Sequence, residues 1–366
     1  MPEHLHTCAE HAEAAPAVVK GGPRAQHLTV DMHCHALTVA VEAMVADRPE
    51  KQAEGAASLR SQGPISARHS VEVHLPAVYP KLTSLALRLQ EMDAMGVDVQ
   101  VVSPAPTQYY YWADPELAQK IVAEQNHHIA EMCEKHPDRL VGLGNIALQH
   151  PELSVQQLTY AVKELGLRGV EISSAVNGLE LADPKFESFW AKAEELGVVV
   201  FLHPLGSSLG PRLNQHYLSN IVGQPVENAI ALSHLIFGGV LDRYPGLRIC
   251  AAHGGGYLPT YAGRGDHAWR DRPDSHTTKR PPSSYLRQIW FDDLVYTPQA
   301  VRHLIEAVGL SQVVVGTDFP YDMGQYDVHG VVAAVEGLSD ADHAAILGGN
   351  ALRLLDLDAA RFRKPG

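Results

Sequence analysis

The tripeptide His33-Cys34-His35 closes an apolar run, Leu28-Thr29-Val30-Asp31-Met32, near the start of the chain. Side chains at i and i+2 leave a strand on one face, so both imidazoles can reach a single ion. Three later segments end apolar runs in the same way: Phe201-Leu202-His203-Pro204, Ala251-Ala252-His253-Gly254-Gly255-Gly256 and Val315-Gly316-Thr317-Asp318-Phe319-Pro320. Neutral imidazoles plus one carboxylate suit zinc, and iron, cobalt or manganese tolerate the same set. We assign His33, His35, His203 and Asp318 to one metal per subunit. That leaves an open position for water, whose pKa the ion would lower toward about 7. His253 then serves as general base or acid beside the metal, and with Asp318 makes up the catalytic pair. The glycines after His253 allow close backbone approach to a substrate.

Such a set converges only if the fold brings several strand ends to one rim. From residue 28 onward short Val/Ile/Leu runs alternate with longer helical patterns, the mark of repeated βα units around a parallel sheet. The runs are 28–32, 98–103, 140–145, 169–172, 198–203, 248–252, 288–292 and 313–317. Helices are expected over 82–95, 115–135, 153–164, 185–196, 222–242, 258–269, 298–308 and 340–356. Pro115, Pro184 and Pro298 fall near helix starts, where a missing N–H costs little. Eight such units make a TIM-type (β/α)8 barrel, an α/β fold whose catalytic groups sit at the strand C-termini. The candidate ligands and His253 belong to runs 1, 5, 6 and 8.

Two stretches interrupt the rhythm. Residues 36–81, rich in Ala, Ser, Gly and Pro, read as an inserted lid or subdomain after strand 1, and residues 204–221 follow His203 directly. Residues 1–27 read as an N-terminal extension or dimer arm, and 28–366 as the barrel. His4 and His6 repeat the HxH spacing with no apolar strand before them, so they are read as solvated. The first 27 residues lack the apolar core of a secretory signal.

Composition limits the partners. The chain has 366 residues, 45% of them hydrophobic, and a formal net charge of −13, which disfavours nucleic acid or an anionic membrane as partner. Cysteines 8, 34, 133 and 250 form no CxxC pair, so a reducing, cytoplasmic location is expected. No apolar stretch approaches the roughly 18 residues a membrane span needs.

Chance is a real competitor for any one of these residues in a chain with 21 histidines, and joint placement at strand ends is what gives the set its weight. His127, His128 and His234 lie on helical patterns and read as surface or packed side chains. Tyr109-Tyr110-Tyr111-Trp112, just beyond strand 2, supplies candidate substrate contacts in Tyr109 and Trp112, which could stack on a planar molecule; the plain alternative is a packed loop.

The chain resembles the amidohydrolase superfamily and, within it, the amidohydrolase 2 branch typified by 2-amino-3-carboxymuconate-6-semialdehyde decarboxylase. The resemblance covers about residues 28–355 and rests on the HxH together with Arg88–Asp93, Arg139–Gly144, Val162–Gly166, Phe237–Val240, Ala252–Gly256, Gly316–Pro320 and Gly349–Ala351. It implies that His33, His35, His203 and Asp318 hold a single zinc and that His253 activates the bound water. It further implies a non-oxidative decarboxylation in which metal-bound hydroxide adds to a conjugated substrate. Arg264, in Ala262-Gly263-Arg264, matches an arginine that the family sends across a homodimer interface to a substrate carboxylate; the competing reading is a surface pair with Asp266 or Asp271.

The chain departs from the family's pattern in two places. The family's second carboxylate-binding arginine should lie before Arg88, where this chain reads His74-Leu75-Pro76-Ala77-Val78-Tyr79-Pro80 and Arg68 is the nearest arginine upstream. Leu205 also stands where the decarboxylase has a tryptophan. Glu171 on strand 4 raises a two-metal alternative, which the absence of a strand 4 lysine and the mononuclear branch disfavour. The expectation is therefore a zinc-dependent decarboxylase of an unsaturated or aromatic carboxylic acid. Its rivals are a hydrolase or hydratase using the same hydroxide, and a binding protein without turnover.

Overall fold

The computed structural model describes residues 27–362, so His4, His6, Cys8 and most of the expected N-terminal extension lie outside the described residues. Eight parallel strands carry the fold: β1 (Val30–Ala36), β2 (Val99–Pro104), β3 (Leu140–Gly142), β4 (Gly169–Ile172), β5 (Val199–Leu202), β6 (Arg248–Ala251), β7 (Ile289–Asp292) and β8 (Val313–Val314). They form two ladders, β1-β2-β3 and β4-β5-β6-β7-β8. Isolated parallel bridges join the ladders at both seams, Gly144 to Val170 on one side and Asp31 to Val315 and Cys34 to Phe319 on the other. The result is the expected (β/α)8 arrangement, with sparse pairing beside β3 and β8. Both are shorter than their apolar runs because Gly144 and the Val315–Phe319 segment pair only through single bridges.

A one-residue bulge in β1 decides where the HxH points. Asp31 pairs with Gln100 but Cys34 with Val102, so β1 carries an extra residue between them. Val30 and Met32 pack with Val99, Val101, Val141, Leu143, Val199, Phe201, Cys250, Ala252 and Val314, the alternate residues that fill the barrel. Cys34 and Ala36 instead join Val102, Val170, Val200 and Ile249 in the layer under the helices. The bulge inverts the alternation, as an extra residue must, and turns His33 and His35 inward. Without it, the same strand would present both histidines to the outer helices.

Helices start where the sequence leads one to expect. Asp114 caps Pro115–Lys135 through the amide of Leu117, and Thr297 caps Pro298–Val308 through that of Ala300. The expected helix over 222–242 is broken after Phe237, where Gly238 and left-handed Gly239 end one helix before Val240–Arg243 begins. The segment 36–81 is mostly helical: Val39–Val45, Pro49–Gln62, Pro64–His69 and Leu75–Thr83. Pro49–Gln62 has no buried residue, so it lacks the apolar stripe by which a helix is read from sequence. No helix among the described residues is long and apolar enough to cross a membrane. Cys34, Cys133 and Cys250 are free thiols.

Gly256 ends the turn after His253 at φ 66°, ψ −132°, and a Cβ there would meet the Pro225 carbonyl oxygen at 1.8 Å. Gly256→Ala is therefore expected to cost about 3 kcal/mol or more in chemical unfolding. An unchanged unfolding midpoint would contradict this packing.

Candidate metal centre

β1, β5 and the turns after β6 and β8 bring His33, His35, His203, His253 and Asp318 together. Ring centroids of His33 and His35 are 5.1 Å apart, those of His33 and His203 5.0 Å, and those of His203 and His253 5.0 Å. One donor atom each from His33, His203, His253 and Asp318 lies within 4.8 Å of all the others. His35 joins them, its Nε2 standing 3.3 Å from Asp318 Oδ1, the same separation as His33 Nε2. Asp318 and His253 adopt left-handed backbone, φ 56° and 55°, a conformation non-glycine residues adopt at some cost.

The buried polar atoms in this cluster test whether a cation fits. His33 Nε2, His35 Nε2, both ring nitrogens of His203 and Asp318 Oδ1 are buried without a hydrogen-bond partner. Buried polar groups are almost always paired, and leaving one unpaired costs about 1–3 kcal/mol. Four residues whose unpaired donor atoms converge meet the requirement of one divalent cation.

The surrounding groups determine which nitrogen of each imidazole is free. His33 Nδ1 lies 2.6 Å from Asp292 Oδ2, a pure acceptor when ionised, so in the neutral ring the proton sits there and Nε2 is the nitrogen left with a lone pair for a cation. His35 Nδ1 faces the Pro104 carbonyl at 3.3 Å, with Ser103 Oγ at 3.3 Å and Glu171 Oε2 at 3.4 Å, giving the same outcome. His253 differs, since its Nδ1 lies 3.1 Å from the amide nitrogen of Asn228.

Charge follows the same pattern. Burial alone would raise the Asp318 pKa, but the charge of His33 and the nearby imidazoles of His253 and His35 hold it well below the usual carboxylate range. For His33, burial would lower the pKa, yet Asp318 and Asp292 together push it up to about 10. Burial and the neighbouring imidazoles hold His203 well below its ordinary value, and so neutral.

A buried brace fixes β1 against its neighbours. Asp31 accepts from the amides of His33 and Thr317, from Thr317 Oγ1 at 2.7 Å and from Gln100 Nε2 at 3.0 Å. Arg88, 1% exposed, donates to Gln100 Oε1 and to the His35 carbonyl. Its guanidinium is thereby engaged and leaves no free cation for substrate.

Three further candidates fall elsewhere. The hydroxyl of buried Tyr109 donates to Glu171 Oε1 at 2.5 Å and lies 3.1 Å from the His203 carbonyl oxygen, so it braces the site and is not free for substrate. Trp112 points its indole N–H at Glu54 of the inserted helix, 3.4 Å away, and packs beside Tyr110. Arg264 is exposed and forms no ion pair among the described residues; Asp266 is engaged by Ser283 and Asp271 by His267. It lines a groove of about 420 Å³ with Phe237, Tyr257 and Tyr261. Arg68 is exposed, and within 74–80 it is His74 that nears the site, 6.0 Å from Tyr321, whose ring is in turn 5.5 Å from His35.

Asp292 was missed by the sequence reading, although it ends the seventh apolar run, where a carboxylate at a barrel rim is a recognisable signal. Asn228 gave no signal, being one polar residue on a helix whose partner is distant in sequence.

The amidohydrolase family model matches residues 30–357, and this chain belongs to that family. A 2-amino-3-carboxymuconate-6-semialdehyde decarboxylase from Dictyostelium discoideum is 37% identical over 75% of this chain and 77% of its own length. The protein of the same description from Caenorhabditis elegans is 30% identical over 77% and 83%. Among solved structures, a 5-carboxyvanillate decarboxylase from Novosphingobium aromaticivorans, complexed with manganese and a nitrobenzoic acid, superposes with a TM-score of 0.81 at 22% identity, over 94% of this chain and all of that one.

Replacing Asp292 by Asn leaves one oxygen, which the Gly254 and Leu294 amides claim, and sets an NH₂ group in place of the acceptor that orients His33. Metal affinity, read by competition with a chelating dye, is expected to fall about 10–100-fold; an unchanged affinity would contradict the His33–Asp292 pairing. Because His33 is raised to about 10 in the metal-free protein, binding must displace its proton. Metal titration at pH 7 should release on the order of one proton, and affinity should climb with pH up to that value. Absence of proton release would contradict this electrostatic account.

Proposed function

We propose that this protein is a zinc-dependent, non-oxidative decarboxylase of an unsaturated or aromatic carboxylic acid, working as a homodimer. The observation that carries the reading is the convergence of unpaired atoms of His33, His35, His203 and Asp318 beside a fifth polar group, His253. Its support from relatives is that the two reported above, at 37% and 30% identity, are named decarboxylases. The choice of zinc rests on the three imidazoles and one carboxylate, a set that manganese also accepts.

In this reading His33, His35, His203 and Asp318 hold the cation. When bound, it supplies an electrophile for substrate oxygens and lowers the pKa of water toward about 7. Asp292 and Glu171 orient the two β1 imidazoles, and Tyr109 holds Glu171 in place. His253, half-buried beside Asp318, faces the space a substrate would enter. In this reading the helices of 39–83 and the segment after His203 form a cover over that entrance, for which their mutual contact is the support: Gly63 of the former abuts the Asn214 carbonyl of the latter.

Among the described residues, Arg88 reaches the strand that carries His33 and His35 but is engaged within the brace and offers no free fork. Substrate carboxylate recognition is assigned to Arg264 of a second copy, for which its exposed and unpaired state is the requirement. The formation of the pocket then depends on dimerisation.

Incubation with freshly generated 2-amino-3-carboxymuconate-6-semialdehyde should give loss of its absorbance with stoichiometric CO₂, abolished by chelation and restored by Zn²⁺. Zinc-loaded protein that releases no CO₂ from this or an aromatic acid, but hydrolyses or hydrates a related compound, would favour the rival use of the site. Inactive Arg264→Ala and inactive His253→Ala subunits should regain partial activity when mixed; a confirmed mixed dimer without activity would remove Arg264 from the pocket.

A further inference from the structure

Asn228 lies on the helix Gln224–Phe237, fully buried. Its Nδ2 is 2.9 Å from the carbonyl oxygen of Ala252 and 3.1 Å from Nδ1 of His253. A carbonyl can only accept, so the Ala252 contact fixes which end of the amide carries the NH₂ group. Rotating the amide half a turn would set Oδ1 against the Ala252 oxygen and leave the two donors without these acceptors. The NH₂ group has one hydrogen for each contact, and the second is aimed at the imidazole. A ring nitrogen that accepts this hydrogen cannot carry its own proton in the same direction. The proton of a neutral His253 is then on Nε2, the nitrogen 3.9 Å from Asp318 Oδ2.

We infer that Asn228 is a positioning residue that holds His253 as a neutral Nε2–H donor aimed at a substrate oxygen beside the metal ligands. The residue types alone leave His253 as general base or acid; the family resemblance implies that it draws a proton from water, which needs a lone pair at Nε2. An asparagine that donates to Nδ1 sets the opposite tautomer and offers nothing to stabilise an imidazolium. A neutral imidazole fixed in this way polarises an oxygen by hydrogen bonding without exchanging a proton. The same contact separates His253 from the ligand set, since coordination through Nε2 needs the same lone pair. His33 and His35 face acceptors at Nδ1 and have Nε2 free, whereas His253 faces a donor. The inference rests on the decarboxylase reading only in naming the oxygen as one of a carboxylate.

Zinc-loaded protein labelled with ¹⁵N in its histidine rings tests the tautomer directly, with His253 assigned by the signals lost in His253→Gln. The expected spectrum shows His253 bare at Nδ1 and protonated at Nε2; a proton on Nδ1 would overturn the inference, whether or not any acid is decarboxylated. Asn228→Asp, of the same shape, presents an acceptor and should move the proton to Nδ1. Where turnover is established, kcat should fall about 10–100-fold while KM stays within about threefold. An Asn228→Asp protein with unchanged tautomer and unchanged kcat would overturn the inference, and if that variant fails to fold the wild-type spectrum still decides. His253→Gln, which retains an N–H donor, should keep about tenfold or more activity over His253→Ala. Equal loss in the two would point to proton exchange by the imidazole and against this role.

Discussion

Imidazole nitrogens and a carboxylate oxygen face one another in a buried space with no hydrogen-bond partner, and the rest of the barrel rim is arranged around that constraint. Each such atom is expensive to bury alone, and a divalent cation satisfies them together. The surrounding charges agree with that requirement. Asp318, Asp292 and Glu171 are buried carboxylates within reach of the β1 histidines, more negative charge than a metal-free interior accommodates without protonating a histidine. The elevated His33 pKa is the metal-free protein's response.

The apolar structure below this cluster makes its geometry specific. Alternating Val, Met, Phe and Cys side chains fill the barrel up to the level of Met32 and Phe201, and the histidines begin one step above them. The β1 bulge changes the face of the strand at that level. Asp31 then ties β1 to β2 through Gln100 and to the β8 turn through Thr317, so the strand bearing two candidate ligands and the turn bearing Asp318 move as one unit. Left-handed backbone at His253 and Asp318 is maintained because Gly254 donates to Asp292 and Asp318 donates to the His33 carbonyl. A single carboxylate, Asp292, therefore orients His33 and anchors the turn that carries His253.

The candidate cluster was legible because it combines residue type with strand context: HxH after an apolar run, and His or Asp ending three other runs. The same context separated His33 and His35 from His4 and His6 by rule, though the latter lie outside the described residues. The direction of the HxH was not legible, since simple alternation continued from Val30 and Met32 turns both histidines outward. The segment 36–81 stood out as an insertion by length, but its helices were hidden because Pro49–Gln62 buries nothing. Tyr109 and Trp112 were recognised as aromatics near the rim, while their hydrogen bonds to Glu171 and Glu54 depend on partners far along the chain. Asn228 is the extreme case: its meaning comes wholly from a contact with a turn 25 residues away.

Diffraction from crystals of the protein as purified, recorded on both sides of the zinc absorption edge, addresses the central claim most directly. The account predicts one anomalous peak per chain, about 2.0–2.2 Å from donor atoms of His33, His35, His203 and Asp318, with His253 outside the coordination sphere. A peak ligated by His253 in place of His35, or fully ligated protein with no metal density among these residues, would contradict it.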